Sequence, residues 1–360
     1  MSKKNKIIII SISIAVLFLI GVLLWYILSL NPVNKNNEEQ TIIEIQEGMR
    51  TEEIVKLLKQ NNLIKNEFLT KVYMKLNGIK GLQAGKYQLY QNMSTKEILN
   101  KISSGEVYDE TVKITFIEGK NINWLANKIA ECTNNTVDDV KNLLKDKEYI
   151  QSLIQKYWFL TSDIQNESIY YPLEGYLYPD TYIFENADVS VKTIFNIILN
   201  NTEKVLSNYK TQIETKNMTV HQILTIASII ELEGSYKEAR VGISSVIYNR
   251  LKANMSLGSD VTTYYSIQVD MSERNLYTEE IKASNPYNTR GPGMNGKLPV
   301  GPIGNPSKES IEAALNPSQT SYLYFVADSK GKIYFTTTYE EHKQKIDELR
   351  TQGLWYEYNT

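Results

Sequence analysis

Glu231 closes the apolar run Ile223-Leu224-Thr225-Ile226-Ala227-Ser228-Ile229-Ile230, and a carboxyl group in that position invites a chemical explanation. Desolvation disfavours the ionised form, so a glutamate among apolar side chains tends to keep its proton near neutral pH, and a protonated glutamate is a general acid. By itself the feature has an ordinary alternative, a glutamate on the last turn of a core helix, turned towards water. Helical spacing adds a second observation. Residues three and four apart share a face, which sets Glu231 beside Ala227 and Ser228 on one side and Gly234 and Ser235 on the other. Small neighbours leave room for a ligand atom to reach the carboxyl, whereas a structural glutamate would more often sit beside Arg or Lys.

Three other stretches carry polar chemistry. Leu173-Glu174-Gly175-Tyr176-Leu177-Tyr178-Pro179-Asp180-Thr181-Tyr182 sets three tyrosines around Gly, Pro and two carboxylates. It reads either as a sugar-facing wall or as a half-buried edge strand with its tyrosines packed outward. Ser259-Asp260-Val261-Thr262-Thr263-Tyr264-Tyr265 and Asn285-Pro286-Tyr287-Asn288-Thr289 are each, alone, ordinary turns.

The elements that must position these groups have readable starts. Thr219-Val220-His221-Gln222 is a capping box that opens the helix carrying Glu231, and Gly234 is its expected stop. Ile243, Val246, Ile247 and Leu251 mark a following helix, and Ala283 to Pro306 has the Gly, Pro and Asn content of a long ordered loop that carries function. Tyr322 to Asp328 and Lys332 to Thr337 form a hairpin around Ser329-Lys330-Gly331, and Thr338 to Glu341 opens the last helix. Nearer the N-terminus, strand, turn and helix recur. Ile43 to Thr51 leads into Ile54, Leu57 and Leu58, Phe116 to Asn121 into Ile122, Leu125 and Ile129, and Tyr87 to Tyr90 into the Ser94/Glu97 capping box. Residues 41–110 are therefore expected to be a small α+β module with helices near 52–60, 66–77 and 95–104. Ser103-Ser104-Gly105-Glu106 marks its boundary, and a second, larger mixed α/β domain spans 111–355, starting with a strand at Thr111 to Phe116.

Ile7 to Leu30 is an uncharged run of 24 residues. At about 1.5 Å per residue it is long enough to cross a hydrocarbon core of roughly 30 Å. Lys3, Lys4 and Lys6 precede it, so the positive-inside rule predicts a cytoplasmic tail at 1–6, a single transmembrane helix at 7–30, a polar tether at 31–40 and everything beyond outside the cell membrane. A cleaved signal peptide fits less well, because the run exceeds a typical apolar core and Ser29-Leu30-Asn31-Pro32 is a poor cleavage site. Trp25 and Tyr26 fall where interface anchors belong.

Composition removes several function classes. Lys plus Arg (39) nearly balances Asp plus Glu (41), which gives no electrostatic case for nucleic acid. Cys132 stands alone, so no intrachain disulfide is possible, and His221 and His342 lie far apart as helix residues, which leaves no ordinary zinc spacing and no metal or other cofactor expected. Gly291 to Lys297 imitates a phosphate loop, but Leu298 stands where Ser or Thr is required and no strand precedes it, so nucleotide binding is rejected. The 25 tyrosines against 8 phenylalanines suit hydrogen-bonding aromatic surfaces that stack on sugars or line grooves.

Taken in order, Leu-Glu-Gly-Tyr-Leu-Tyr-Pro-Asp-Thr-Tyr at 173–182, Ala-Ser-Ile-Ile-Glu at 227–231, Val-Ile-Tyr-Asn-Arg-Leu at 246–251, Ser-Asp-Val-Thr at 259–262, Pro-Tyr-Asn-Thr at 286–289, Leu-Pro-Val-Gly-Pro-Ile at 298–303 and Tyr-Leu-Tyr-Phe-Val-Ala-Asp at 322–328 resemble the motifs of the YceG-like family of endolytic murein transglycosylases. The resemblance implies a LysM-like module at 41–110 and a catalytic domain at 111–355. It implies cleavage of the β-1,4 bond between N-acetylmuramic acid and N-acetylglucosamine inside a glycan strand, leaving a 1,6-anhydromuramoyl end. The family's catalytic glutamate maps onto Glu231, which would protonate the leaving oxygen and then take the proton of the C6 hydroxyl. One carboxyl suffices, unlike the pair used by ordinary glycosidases. Glu174, Ser259 and Asp260 are then candidates for positioning the sugar, Tyr176, Tyr182 and Tyr287 for stacking on it, and Thr262 and Asn288 for binding acetamido groups.

The resemblance further suggests peptidoglycan glycan strands as the ligand, wall-elongation synthases as partners and a role in ending glycan elongation. Gly258 and Val261 depart from the Leu-Gln-Ser/Thr-Asp-Pro-Thr of many relatives, which puts one side-chain amide contact in doubt, and the loop 290–297 departs from the usual short connection. Two other readings stand beside this one: a noncatalytic membrane-anchored peptidoglycan-binding scaffold, and a tethered hydrolase using water and leaving reducing ends.

Overall fold

A computed structural model describes residues 3–355. Residues 1 and 2 of the expected cytoplasmic tail lie outside the described residues. The chain divides after Glu110 into two compact units, and each is described by itself.

The first unit opens with α1 (Lys3–Leu30), whose start takes in Lys3, Lys4 and Lys6, so the helix reaches further back than the apolar run alone. Its 28 residues give about 42 Å of length, and along most of it the large apolar side chains are exposed on all sides, Phe18 being 70% exposed, while the last turn, with Tyr26, Ser29 and Leu30, is partly covered. It is one helix long and apolar enough to cross a membrane. Beyond it come β1 (Gln40–Ile45), α2 (Thr51–Gln60), α3 (Glu67–Leu76), β2 (Gly85–Tyr90) and α4 (Thr95–Ser104). The two strands pair antiparallel, with Gln40 opposite Tyr90 and Ile45 opposite Gly85. Period-two alternation turns Ile43 and Ile45 inward and Glu44 outward, and the helices close over them with Ile54, Val55, Leu58, Ile98, Leu99 and Ile102. α4 starts on the Ser94/Glu97 capping box and stops at Gly105 with φ +73°, a left-handed C-cap that suits glycine.

The second unit is mostly helical. β3 (Val112–Thr115) pairs antiparallel with β4 (Thr181–Phe184), Val112 facing Phe184. Between them run α5 (Ile122–Cys132), α6 (Val137–Lys145), α7 (Lys147–Lys156) and a short 3-10 turn at Ser162–Gln165. Then follow α8 (Val191–Ser207), α9 (Lys210–Thr215), α10 (Val220–Glu233), α11 (Lys237–Lys252), α12 (Asp260–Ser266), α13 (Thr278–Ile281) and α14 (Lys308–Leu315). The hairpin β5 (Tyr324–Ala327) and β6 (Ile333–Thr336) leads into α15 (Tyr339–Thr351).

α10 is the axis of this unit. Every residue from Ile223 to Ile230 is buried, because the helix is apolar all round and is enclosed by α11, α12 and α14. It opens on the Thr219/Gln222 capping box and ends at Glu233. Gly234 does follow as the stop, but with φ −111°. Its lack of a side chain serves close approach instead, since a Cβ there would lie 2.8 Å from Arg240 Cγ. The segment from Ala283 to Pro306 is irregular apart from turns, as its composition predicts.

Candidate active site

Glu231 stands on the last turn of α10, where the helix leaves the core, and its side chain is 8% exposed. Its two carboxyl oxygens are held from different elements. Arg240 on α11 donates from Nη2 to Oε1 at 3.1 Å, while its Nε donates to the carbonyl of Gly234 at 3.1 Å. Ser307 donates to Oε2 from its backbone N–H at 2.8 Å and again from its hydroxyl. Ser307 is also the N-cap of α14, so the carboxyl faces the N-terminal end of that helix, where the dipole favours negative charge. The apolar setting expected from the run before Glu231 is therefore corrected at the carboxyl itself. The run packs the helix, and the last turn projects into a polar junction where an arginine does stand beside the glutamate.

The loop carrying Ser307 is locked by the other motifs. Ile303 N–H donates to the Ser228 hydroxyl at 3.1 Å, one turn before Glu231. Gly119 N–H donates to the carbonyl of Asn305 at 2.8 Å, and Asn305 Oδ1 accepts from Leu177 N–H at 2.9 Å. Gly175 has φ +81°, and a Cβ there would lie 2.3 Å from Pro302 Cβ, so glycine serves both a left-handed turn and close packing. Three stretches far apart in sequence, 117–121, 173–177 and 299–307, thereby fix where Ser307 meets Glu231.

A second polar cluster joins α10 two residues further on. Ser259 donates from Oγ to Glu233 Oε1 at 2.6 Å, and its N–H donates to Thr289 Oγ1 at 3.0 Å. Thr262 and Thr289 share a hydroxyl contact at 2.8 Å, and Thr263 donates to Asn288 Oδ1 at 2.7 Å. Asp260 pairs with Arg290, both substantially exposed. Burial, with the charge of Asp260 adding to it, raises the pKa of Glu233 against the opposing Ser259 hydrogen bond. Gly258 adopts φ +58° close to Arg250, a backbone for which glycine is well suited.

The structure brings Ser259, Asp260, Thr262 and Asn288 together with Thr289 and Arg290, but buries most of the other sequence candidates. Glu174 is 1% exposed and accepts from Ile122 N–H at 3.1 Å and from the Tyr265 hydroxyl at 2.9 Å, and burial pushes its pKa up to about 8. It joins the start of α5 to α12. Tyr176 shares a hydrogen bond with His221 Nδ1 at 2.8 Å, and Tyr287 packs between Tyr170 and Tyr265, with ring centroids 4.8 Å from each. Tyr182 lies in the β3/β4 sheet, donating to the Tyr178 carbonyl at 2.7 Å. All three tyrosines are buried, with no ring face open to solvent. Thr262 and Asn288 are likewise buried, their polar atoms bonded within the protein, Asn288 through Nδ2 to the carbonyls of Glu280, Ile281 and Ala283.

Sequence reasoning missed Arg240 and Ser307, which hold the Glu231 carboxyl, Arg290, which pairs with Asp260, and Glu233, which accepts from Ser259. Glu233 had a signal, since it lies two residues after Glu231, and Tyr236, 37% exposed at the start of α11, is an aromatic that does face solvent nearby. Among the described residues, no group of three or more His, Cys, Asp and Glu is arranged to hold a metal ion.

Residues 43–348 match the model of the YceG-like family. A Bacillus subtilis protein named endolytic murein transglycosylase is 38% identical over 316 residues, covering 88% of this chain and 86% of that protein. A Streptococcus pneumoniae protein of the same name is 30% identical over 337 residues, and the match spans 60% of its length. A crystal structure of a YceG-like protein from Listeria monocytogenes superimposes with a TM-score of 0.61 at 35% identity, covering 85% of this chain and 99% of that one.

Proposed function

We propose that this chain, which belongs to the YceG-like family, cuts the MurNAc-β-1,4-GlcNAc bond within nascent glycan strands, leaves 1,6-anhydromuramoyl ends and thereby terminates glycan elongation. It is a peptidoglycan lytic transglycosylase, a lyase. The observation that carries the finer reading is the setting of Glu231, a carboxyl at the mouth of a buried helix whose two oxygens are aimed by Arg240 and Ser307.

In this reading Glu231 enters the reaction protonated and gives its proton to the leaving O4 of N-acetylglucosamine, and the Arg240 and Ser307 donors favour the carboxylate it becomes. The C6 hydroxyl of the same muramoyl residue attacks C1, and the Glu231 carboxylate takes the hydroxyl proton as the 1,6 ring closes. The acid is thus regenerated and no water is consumed. Arg240 and the Ser307 donors keep the carboxyl in one plane through both steps, the kind of preorganisation that converts binding into rate. The exposed Asp260–Arg290 pair flanks the adjoining cluster and supplies polar contacts to neighbouring sugar hydroxyls, while buried Ser259 holds Glu233. The βααβ order of the first unit supports its reading as a LysM-like module, and α1 supports a single-pass anchor in the cell membrane with the N-terminus cytoplasmic and the catalytic domain outside. Wall-elongation synthases acting on the same strands are the partners this placement suggests.

Mass spectrometry of purified murein digested with the full chain tests the reaction. Muropeptides one water lighter than hydrolytic products are expected. Reducing ends would overturn the reading in favour of a hydrolase, and an undigested but protein-coated murein would favour a binding scaffold.

A further inference from the structure

The exposed face of α3 has a composition that its own unit does not use. α3 buries Leu69, Thr70 and Met74, the last in the core of the first unit. At 100° per residue, the opposite face carries Phe68, Lys71 and Lys75, with exposed Lys65 just before the helix and exposed Leu76 at its C-terminal end. Phe68 is 67% exposed and Leu76 73%, and all three lysines are exposed. Large apolar groups interleaved with cations on one helix face are the pattern of a helix lying in a lipid headgroup layer.

What identifies the occupant of this face is its place beside α1. α3 packs against α1, and Lys65 Nζ donates to the carbonyl of Leu28, two residues before α1 ends, at 3.3 Å. Trp25 and Tyr26 lie one turn further back, the position of interface-anchoring aromatics. If α1 spans the bilayer, its last turn sits at the boundary between acyl chains and headgroups. Phe68, on the first turn of α3 just after Lys65, then lies close to that boundary. Lys65 and Lys71 flank Phe68, and Glu67 is the one acidic residue of α3, so the face is cationic as well as apolar.

We propose that this face of α3 is a second, interfacial membrane contact. Phe68 enters the boundary between headgroups and acyl chains, and Lys65, Lys71 and Lys75 pair with lipid phosphates on the side of the membrane where α1 emerges. The inference rests on the reading of α1 as a membrane-spanning helix. Its consequence is orientational: the α1–α3 contact keeps the first unit beside the end of α1, and a lipid contact on α3 fixes which way that unit faces the surface.

Site-directed spin labelling of the full chain tests this. With Cys132 replaced by Ser, a nitroxide is placed in turn at Phe68→Cys, at Lys96→Cys on the exposed side of α4, and at Leu19→Cys within α1, in vesicles of phosphatidylethanolamine and phosphatidylglycerol. Collision with dissolved oxygen is compared with collision with a water-soluble nickel chelate. The label at 68 is expected to favour oxygen several-fold over the label at 96, and the Lys71→Glu, Lys75→Glu double variant to reduce that preference. A label at 68 as accessible to nickel as the one at 96, with the label at 19 still in lipid, overturns the inference and leaves the anchor standing. A label at 19 open to nickel overturns the anchor and the inference with it. Protection of 68 from both reagents would mean that protein, such as a second copy, covers the face, which also overturns it.

Discussion

Glu174 couples the stability of the second unit to pH in a direction opposite to that of most carboxylates. It is enclosed, with Ile122 N–H and the Tyr265 hydroxyl as its hydrogen-bond donors, and burial moves its pKa from 4.5 to about 8. Between those values the folded chain keeps a proton that the unfolded chain has released. The stabilisation from the protonated form is therefore complete below about pH 4.5 and is lost as pH rises towards 8. From pH 5.5 to pH 8 that linkage removes about 3 kcal/mol, which for a unit of this size lowers the melting temperature by roughly 6–12 °C. Glu174→Gln keeps the shape and the neutral state at every pH. Its carbonyl accepts from Ile122, and the Tyr265 hydroxyl turns to accept from the amide. Calorimetry of the full chain and the variant should give similar melting temperatures at pH 5.5 and a more stable variant at pH 8. Parallel curves across that window would refute the reasoning, because they would show that Glu174 titrates alike in the folded and unfolded chains.

Two further substitutions probe the scaffold of the site. Arg240→Ala removes one of the donors to the Glu231 carboxyl and is expected to lower turnover of murein about 10- to 100-fold with the fold intact. Arg240→Lys should recover little of it, since an ammonium lacks the fork that serves Glu231 and the Gly234 carbonyl together, and wild-type turnover in either variant would remove Arg240 from the site. Gly175→Ala forces a Cβ into Pro302 at a left-handed backbone position and should cost roughly 2–4 kcal/mol in urea unfolding. An unchanged midpoint would contradict the packing of the 299–307 loop on that turn.

Local signals were legible in the sequence, and long-range partners were not. The capping boxes at Ser94, Thr219 and Thr338 mark helix starts seen in the structure, because each satisfies its backbone donors within four residues. The strand, turn and helix recurrences at β1–α2, β2–α4 and β3–α5 follow from alternation and turn residues in the same way. Glu231 was found from its position at the end of an apolar helix. Ser307 is 76 residues away from Glu231 and reaches it through a loop whose path depends on Gly119, Gly175 and Asn305, so no local pattern announces that contact.

Burial separates the tyrosine-rich motif from its expected use. Period and composition leave the facing of Tyr176, Tyr182 and Tyr287 open, and which way each ring faces is decided by what packs against it: His221, the β3/β4 sheet, and Tyr170 with Tyr265. Glu174 illustrates the same point for charge. In sequence it lies beside Gly and Tyr as a ligand-binding carboxylate would, and in the fold it receives the N–H of the first residue of α5.

The central claim is that Glu231 alone serves as acid and then base, and the product pattern of Glu231→Gln on purified murein tests it most directly. An amide keeps the size of the side chain and can neither give nor take the proton, so the account predicts a folded protein, less stable because the amide nitrogen must face a donor of Arg240 or Ser307, with no 1,6-anhydromuramoyl products by mass spectrometry. Anhydro products at the wild-type rate from Glu231→Gln would contradict it.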